Sequence, residues 1–234
     1  MIIKGSLYII PTLIGDYDKK YISNELQNAI KNINYYLVEN EKKARRFIKF
    51  IDPKKNQNIL NIKIISKIRD LNFNDLLEPC KSGNHIGLLS DSGCPGIADP
   101  GSDVVLSAHL RNIEIKPIIG PSSILMAMMS SGLNGQSFSF NGYLPIKEKQ
   151  LIDKIKFYES KSKKENQTQI FIETPYRNNK LLSKLIETLS PKSMLCVASN
   201  INLQNQLIIT KKVFLWKKTK IDINKQPTIF IFSC

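Results

Sequence analysis

Leu88-Leu89-Ser90-Asp91-Ser92-Gly93-Cys94-Pro95-Gly96-Ile97-Ala98-Asp99-Pro100-Gly101-Ser102-Asp103 is the stretch on which the reading of this chain turns. Three glycines, two prolines and three aspartates follow the apolar run His85-Ile86-Gly87-Leu88-Leu89 and precede Val104 to His109, which has helical spacing. Glycine permits close backbone approach and positive φ, and proline fixes φ in advance, so a loop of this composition is shaped before a ligand arrives. Ligands of open α/β sheets bind at the carboxyl ends of strands, where this loop begins. The alternative is an ordinary connector in which Asp99 or Ser102 caps the next helix.

Strands and helices alternate outward from it. Leu7-Tyr8-Ile9-Ile10, stopped by Pro11, reads as a buried strand. Ile22, Leu26, Ala29, Ile30 and Ile33 recur at helical spacing, and Tyr35 to Val38 reads as a second strand with Glu39 at its end. Lys42 to Phe50 fits an amphipathic helix with a basic face, Ile62 to Ile65 a strand, Phe73 to Lys81 a helix and Ile113 to Ile119 a strand. The alternation predicts a mostly parallel, helix-covered sheet in a domain spanning 1–119. Gly120-Pro121-Ser122-Ser123 interrupts it before a helix at Ile124 to Ser131, and a second α/β domain is expected over 120–234. Its predicted strands are Phe138 to Tyr143, Gln169 to Glu173 and Met194 to Ala198, closed by antiparallel strands at Leu207 to Ile209 and Thr228 to Phe232. Helices are predicted at Ile146 to about Lys161 and Asn178 to Leu189, with a polar turn at Lys161 to Asn166.

Composition sets bounds on function. A chain of 234 residues, 42% hydrophobic and 23% charged, has material for two small domains and lies far from the disordered and fibrous classes. Cys80, Cys94, Cys196 and Cys234 are dispersed without a C-x-x-C pair, so reduced, mostly buried thiols are expected rather than a zinc cage or disulfide framework. No apolar run approaches the ~18 residues of a membrane span, and no signal-peptide core is visible, which points to the cytoplasm. The balance of 34 basic against 20 acidic residues gives a net charge of +14. That charge suits a phosphate-rich partner, although a drift toward lysine, isoleucine and asparagine explains it equally well. His85 and His109 lack companions for a metal site, and no metal is expected. Trp216 is expected to be a partly exposed packing residue.

Five segments in order carry a resemblance. Leu7 to Asp16, Ser90 to Gly101, Gly120 to Ser123, Gly142-Tyr143-Leu144-Pro145 and Glu173-Thr174-Pro175-Tyr176-Arg177 together resemble the tetrapyrrole methylase superfamily. Within it they are similar to the small-subunit rRNA cytidine ribose 2′-O-methyltransferases. The resemblance implies an α/β fold of two domains, each a mixed sheet flanked by helices, in a homodimer with S-adenosylmethionine in the cleft between domains. It implies that Asp91, Ser92, Gly93, Cys94, Pro95, Ile97, Ala98 and Asp99 cradle the cofactor, with Pro11 and Thr12 as the floor and Ser122 and Ser123 near the linker. Tyr143, Leu144 and Pro145 are then expected to enclose the adenosine, and Glu173 to Arg177 to border the cleft. The absence of a G-x-G-x-x-G turn after a strand separates the sequence from the commoner Rossmann methyltransferases.

A sulfonium already activates its methyl group, so a protein of this kind aligns the acceptor in line and removes its proton. Asp99 is the first candidate base, with Asp91, Glu39 and Glu173 behind it, and helix capping is the alternative role for Asp99. Arg177, Arg45 and Arg46 are candidates for gripping RNA phosphates, against internal pairing with Glu41, Glu39 or Glu173. Two segments depart from the family's pattern: Ser199 to Gln206 lacks its usual carboxylates, and Glu39-Asn40-Glu41-Lys42-Lys43 stands where a Glu-Asp pattern is usual. The implied activity is ribose methylation of RNA in the small ribosomal subunit. Methylation of a tetrapyrrole and cofactor binding without turnover are the two alternatives.

Overall fold

The computed structural model describes residues 5–16, 18–65 and 73–234. Its contacts form two compact units, Met1–Ser122 and Ser123–Cys234. Gly120 and Pro121 go with the first: a β carbon on Gly120 would lie 2.4 Å from Pro11 Cβ, and the Pro121 carbonyl accepts a hydrogen bond from the Cys94 thiol.

The first unit contains β1 (Leu7–Ile10), α1 (Asn24–Asn32), β2 (Tyr35–Val38), α2 (Glu41–Ile51), β3 (Asn61–Ile64), α3 (Phe73–Lys81), β4 (Ile86–Leu89), α4 (Ser102–Leu110) and β5 (Ile115–Pro117). The strands pair in the order β3-β2-β4-β1-β5, each pair parallel. A parallel sheet needs cover on both faces, and alternate residues of its strands supply two apolar surfaces. Ile10, Tyr36, Val38 and Leu89 pack with Leu26 and Ile30 of α1 and with Phe47 and Ile48 of α2. Leu7, Leu37, Ile86 and Leu88 pack on the opposite side with Leu77 of α3 and Ala108 of α4. Side-chain caps fix where helices start: Ser23 Oγ accepts from the Leu26 amide at 3.1 Å, and Asn40 Oδ1 from the Lys43 amide at 3.1 Å.

The second unit contains α5 (Ser123–Ser131), β6 (Phe138–Tyr143), α6 (Glu148–Glu165), β7 (Thr168–Ile172), α7 (Asn178–Thr188), β8 (Met194–Ser199), β9 (Leu207–Lys212), α8 (Val213–Trp216) and β10 (Thr228–Ser233). Its sheet, β6-β7-β10-β8-β9, is mixed, with β6 and β7 parallel and the other pairs antiparallel. Phe171, Phe230, Leu185 and Trp216 belong to one core, and Ile170, Cys196, Ile231 and Met128 to the other.

Three expectations are corrected. The polar Lys161 to Asn166 segment is the last stretch of α6 rather than a turn, and Asn166, in the left-handed region at φ 48°, ends the helix. Trp216 is 1% exposed, because α8 carries its indole beneath the sheet, where Nε1 donates to the Leu195 carbonyl at 2.9 Å. Only Cys80 and Cys196 are buried thiols; Cys94 is half-buried and Cys234 exposed. Among the described residues no helix is long and apolar enough to cross a membrane.

Candidate active site

Because the strands of the first sheet all run in one direction, the chain leaves β1 at Pro11, β2 at Glu39 and β4 at Ser90 along a common edge. The loop after β4 is fastened there from several sides. Thr12 and Gly93 exchange backbone hydrogen bonds of 2.9 and 3.2 Å. Ser90 Oγ donates to the Gly93 carbonyl at 2.6 Å, the Asp91 amide donates to Glu39 Oε1 at 2.9 Å, and Cys94 Sγ donates to the Pro121 carbonyl at 3.3 Å. Gly93 has a φ of 78°, while a β carbon there would meet Ile14 Cδ1 at an ordinary 3.5 Å. Backbone conformation, not space, therefore reserves this position for glycine. Ala98, at φ 63°, is a non-glycine residue in the same region, a strain the surrounding loop must hold in place.

This arrangement brings together Pro11, Thr12, Asp91, Ser92, Gly93, Cys94, Pro95, Ile97, Ala98 and Asp99. Thr12, Gly93 and Pro95 are buried, whereas Ile97 and Ala98 are exposed, so the loop has a fixed base and an accessible rim. The Thr12 hydroxyl is buried with no hydrogen-bond partner. Helix capping is not the role of Asp99 or Ser102: the N-cap of α4 is Gly101, with no side-chain cap, and Asp99 makes no hydrogen bond or ion pair among the described residues.

Three carboxylates, Glu39, Asp91 and Asp99, stand near one another at this edge. Lys43 offsets their charge, its Nζ lying 2.8 Å from Asp91 Oδ2. Burial pushes the Glu39 carboxyl up, and the charges of Asp99 and Asp91 add to this against the Asp91 amide and Lys43. Asp99 is also pushed up, first by burial and then by Asp91, with Lys43 opposing. Burial raises the Cys94 thiol, which keeps it protonated and unreactive.

In the second unit β6, β7 and β8 run the same way, so Tyr143, Glu173 and Asn200 leave from one edge of that sheet. Tyr143 is exposed, Leu144 buried and Pro145 half-buried. Glu173 is 5% exposed; its Oε1 accepts from the Thr174 amide at 2.7 Å, and its Oε2 lies 3.2 Å from Arg177 Nη2. Oε2 has no aligned hydrogen bond, so the contact with Arg177 is a charge pairing. Arg45 is committed internally, to Glu41 at 2.8 Å and to the Gln57 carbonyl at 2.8 Å. Ser122 closes the first unit, and Ser123 opens α5 in the second.

Sequence reading missed a polar network beyond β8. Ser199 Oγ bonds Thr228 Oγ1 at 2.9 Å and Gln226 Oε1 at 3.1 Å, and Asn200 Nδ2 donates to Gln226 Oε1 at 2.9 Å. Asn200 and Asn202 have φ of 51° and 65°, so these asparagines form a tight turn. The available signal was a polar residue ending each of two apolar strands, at Ser199 and before Ile229.

No family model matches the chain. Over 230 residues it is 32% identical to "Ribosomal RNA small subunit methyltransferase I" of Buchnera aphidicola subsp. Schizaphis graminum (strain Sg), covering 97% of this chain and 77% of that protein. Among solved structures, uroporphyrin-III-C-methyltransferase from Thermus thermophilus matches with a TM-score of 0.58 at 12% identity, over 98% of this chain and 92% of its own. The methyltransferase CobJ matches with a TM-score of 0.63 at 14% identity, over 98% and 94% respectively. At those identities the two structures establish a shared two-sheet α/β fold.

Proposed function

Because the chain belongs to the ribosomal RNA small subunit methyltransferase I family, we propose that it methylates a ribose 2′-hydroxyl of small-subunit ribosomal RNA with S-adenosylmethionine as donor. It is an S-adenosylmethionine-dependent methyltransferase, with the fold of the tetrapyrrole methylases. The observation that carries the reading is the Ser90 to Asp99 loop, anchored on Thr12, Glu39 and Pro121 at the carboxyl edge of a parallel sheet.

The residues present fit such a cofactor. Left-handed backbone at Gly93, Gly96 and Ala98 holds the loop in a fixed shape, and Asp91 and Asp99 carry negative charge that suits a cation and hydroxyl donors. The Thr12 hydroxyl, buried without a partner, has a hydrogen bond to give. When bound, the cofactor supplies a methyl group already activated for transfer. Pro11 and Thr12 form its floor and Asp91 to Asp99 its cradle, with Ser122 at the end of the same unit.

Asp99 takes the proton of the ribose hydroxyl. Of the four candidate bases, Glu39 already accepts the Asp91 amide, Asp91 pairs with Lys43, and Glu173 is engaged by Thr174 and Arg177. Burial and the Asp91 charge raise the proton affinity of Asp99 while leaving the group free to accept. Glu173 acts as a positioning residue, holding Arg177 so that the guanidinium's outer N–H groups face an RNA phosphate.

The protein works as a homodimer in the cytoplasm. Leu106 and Leu110, one turn apart on α4, are 58% and 75% exposed, and Leu125 and Met129 on α5 are 55% and 82% exposed. Apolar stripes of this kind call for cover, which a second copy supplies.

Calorimetry tests the cofactor assignment. Wild type should bind S-adenosylmethionine, and Gly93→Val, which forces a β-branched residue to φ 78°, should abolish binding while the fold survives. Labelled methyl groups should then enter the RNA of purified small ribosomal subunits. A folded wild type that binds no cofactor would overturn the reading, and turnover confined to a tetrapyrrole would reassign the acceptor.

A further inference from the structure

Resting on the RNA acceptor just argued, we propose that the exposed face of α2 is the track on which the ribose-phosphate backbone of the substrate lies, leading the target nucleotide to the Ser90 to Asp99 loop. Lys42, Lys43, Arg46 and Lys49 are all exposed on this helix, while Ala44, Phe47 and Ile48 are buried against the sheet. Burial of one face fixes the rotation of the helix, so its basic face has a defined direction. Lys42, Arg46 and Lys49, at positions i, i+4 and i+7, form a single stripe about 10 Å long.

Both ends of the stripe are marked. Asn40 caps α2 directly after Glu39, and Lys43 reaches Asp91 at 2.8 Å, so the stripe begins at the candidate cofactor loop. Its other end opens into a recess of about 530 Å³ lined by Asp16, Arg46, Lys49 and Phe50. Two cations against the single carboxylate of Asp16 leave the recess net positive, and the half-buried ring of Phe50 offers a stacking face for a base. Lys42 and Lys49 form no ion pair or hydrogen bond among the described residues and are free to displace counterions from RNA.

The other lysine-rich helix lacks these properties. Along α6 the lysines are interleaved with Glu148, Asp153, Glu159 and Glu165, Lys161 lies 3.9 Å from Glu165, and Lys154 sits over the ring of Phe157. On α2 the only carboxylate is Glu41, which is occupied by Arg45.

The test is fluorescence anisotropy with a labelled fragment of small-subunit ribosomal RNA, titrated with full-length protein at several salt concentrations. Lys42→Ala, Arg46→Ala and Lys49→Ala should each weaken binding several-fold and flatten the dependence of log affinity on log salt by about 0.7 to 0.9 for every phosphate no longer neutralised. Lys163→Ala with Lys164→Ala on α6 should leave both quantities unchanged. Cofactor binding by calorimetry should be unaltered in every variant. Stripe variants with wild-type affinity and slope would overturn the track while leaving the methyltransferase reading intact. A wild type that binds cofactor but no RNA would instead overturn the acceptor, and the track with it. Stripe variants impaired on intact subunits but not on the RNA fragment would identify a ribosomal protein as the partner and overturn the track alone.

Discussion

Glu39 illustrates what a single residue contributes and why its role is hard to read from sequence. The glycines and prolines of the Ser90 to Gly101 loop announce a shaped backbone, because each restricts or frees φ by itself. No local pattern announces that Glu39 will accept the amide of Asp91 from across the sheet, since that bond exists only once β2 lies beside β4. Its electrostatics are testable. Burial and the charges of Asp99 and Asp91 hold the folded-state pKa of Glu39 above its ordinary value. A carboxyl raised in this way binds more protons in the native state, so it destabilises the fold above that pKa, and the penalty is relieved as pH falls through it. Glu39→Gln keeps the acceptor oxygen and removes the charge. Urea unfolding should find the variant more stable than wild type near pH 7, with the gain shrinking as pH is lowered through the folded-state pKa. A gain that does not change with pH would show that the charge is not its source.

At the scale of elements, β2, α3 and β6 occupy the ranges expected from the sequence, β2 because Tyr35-Tyr36-Leu37-Val38 is an unbroken apolar run. The end of α6 shows the limit of such reading. Lys161 to Asn166 is wholly polar and reads as a turn, yet Ser162 is fully buried and its Oγ accepts from the Cys234 amide at 3.2 Å. That tertiary contact, contributed from 72 residues away, is invisible to any window along the chain. Lysines are also good helix formers, and Lys163 and Lys164 sit favourably in the last turn, near the negative end of the helix dipole. The helix stops at Asn166, whose left-handed φ of 48° a β-branched residue resists. Asn166→Val should lower unfolding stability by about 1 to 2 kcal/mol, while Asn166→Gly stays close to wild type. Equal losses from both substitutions would place the effect in the side-chain contacts of Asn166 rather than in its backbone.

Over the whole molecule, each unit has its own sheet and apolar cores, and the single tryptophan, Trp216, lies in the second. Flanking lysines suggest exposure; its burial follows from α8, a helix of four residues too short to show periodicity. Trp216→Ala removes a large buried ring and should cost about 3 to 5 kcal/mol in a denaturant titration. In wild type its fluorescence should follow the second unit, so a separate transition in circular dichroism alone would mark the first unit unfolding independently. The strand order of the first sheet also imposes a timetable on synthesis. β1 lies between β4 and β5, with Leu7 opposite both Ile86 and Ile115. At about 5 to 20 residues per second, the strand translated early waits several seconds for its neighbours to be made. Until then Leu7 to Ile10 is an apolar segment of the nascent chain without the partners that bury it, and a chaperone acting on this protein has a target there.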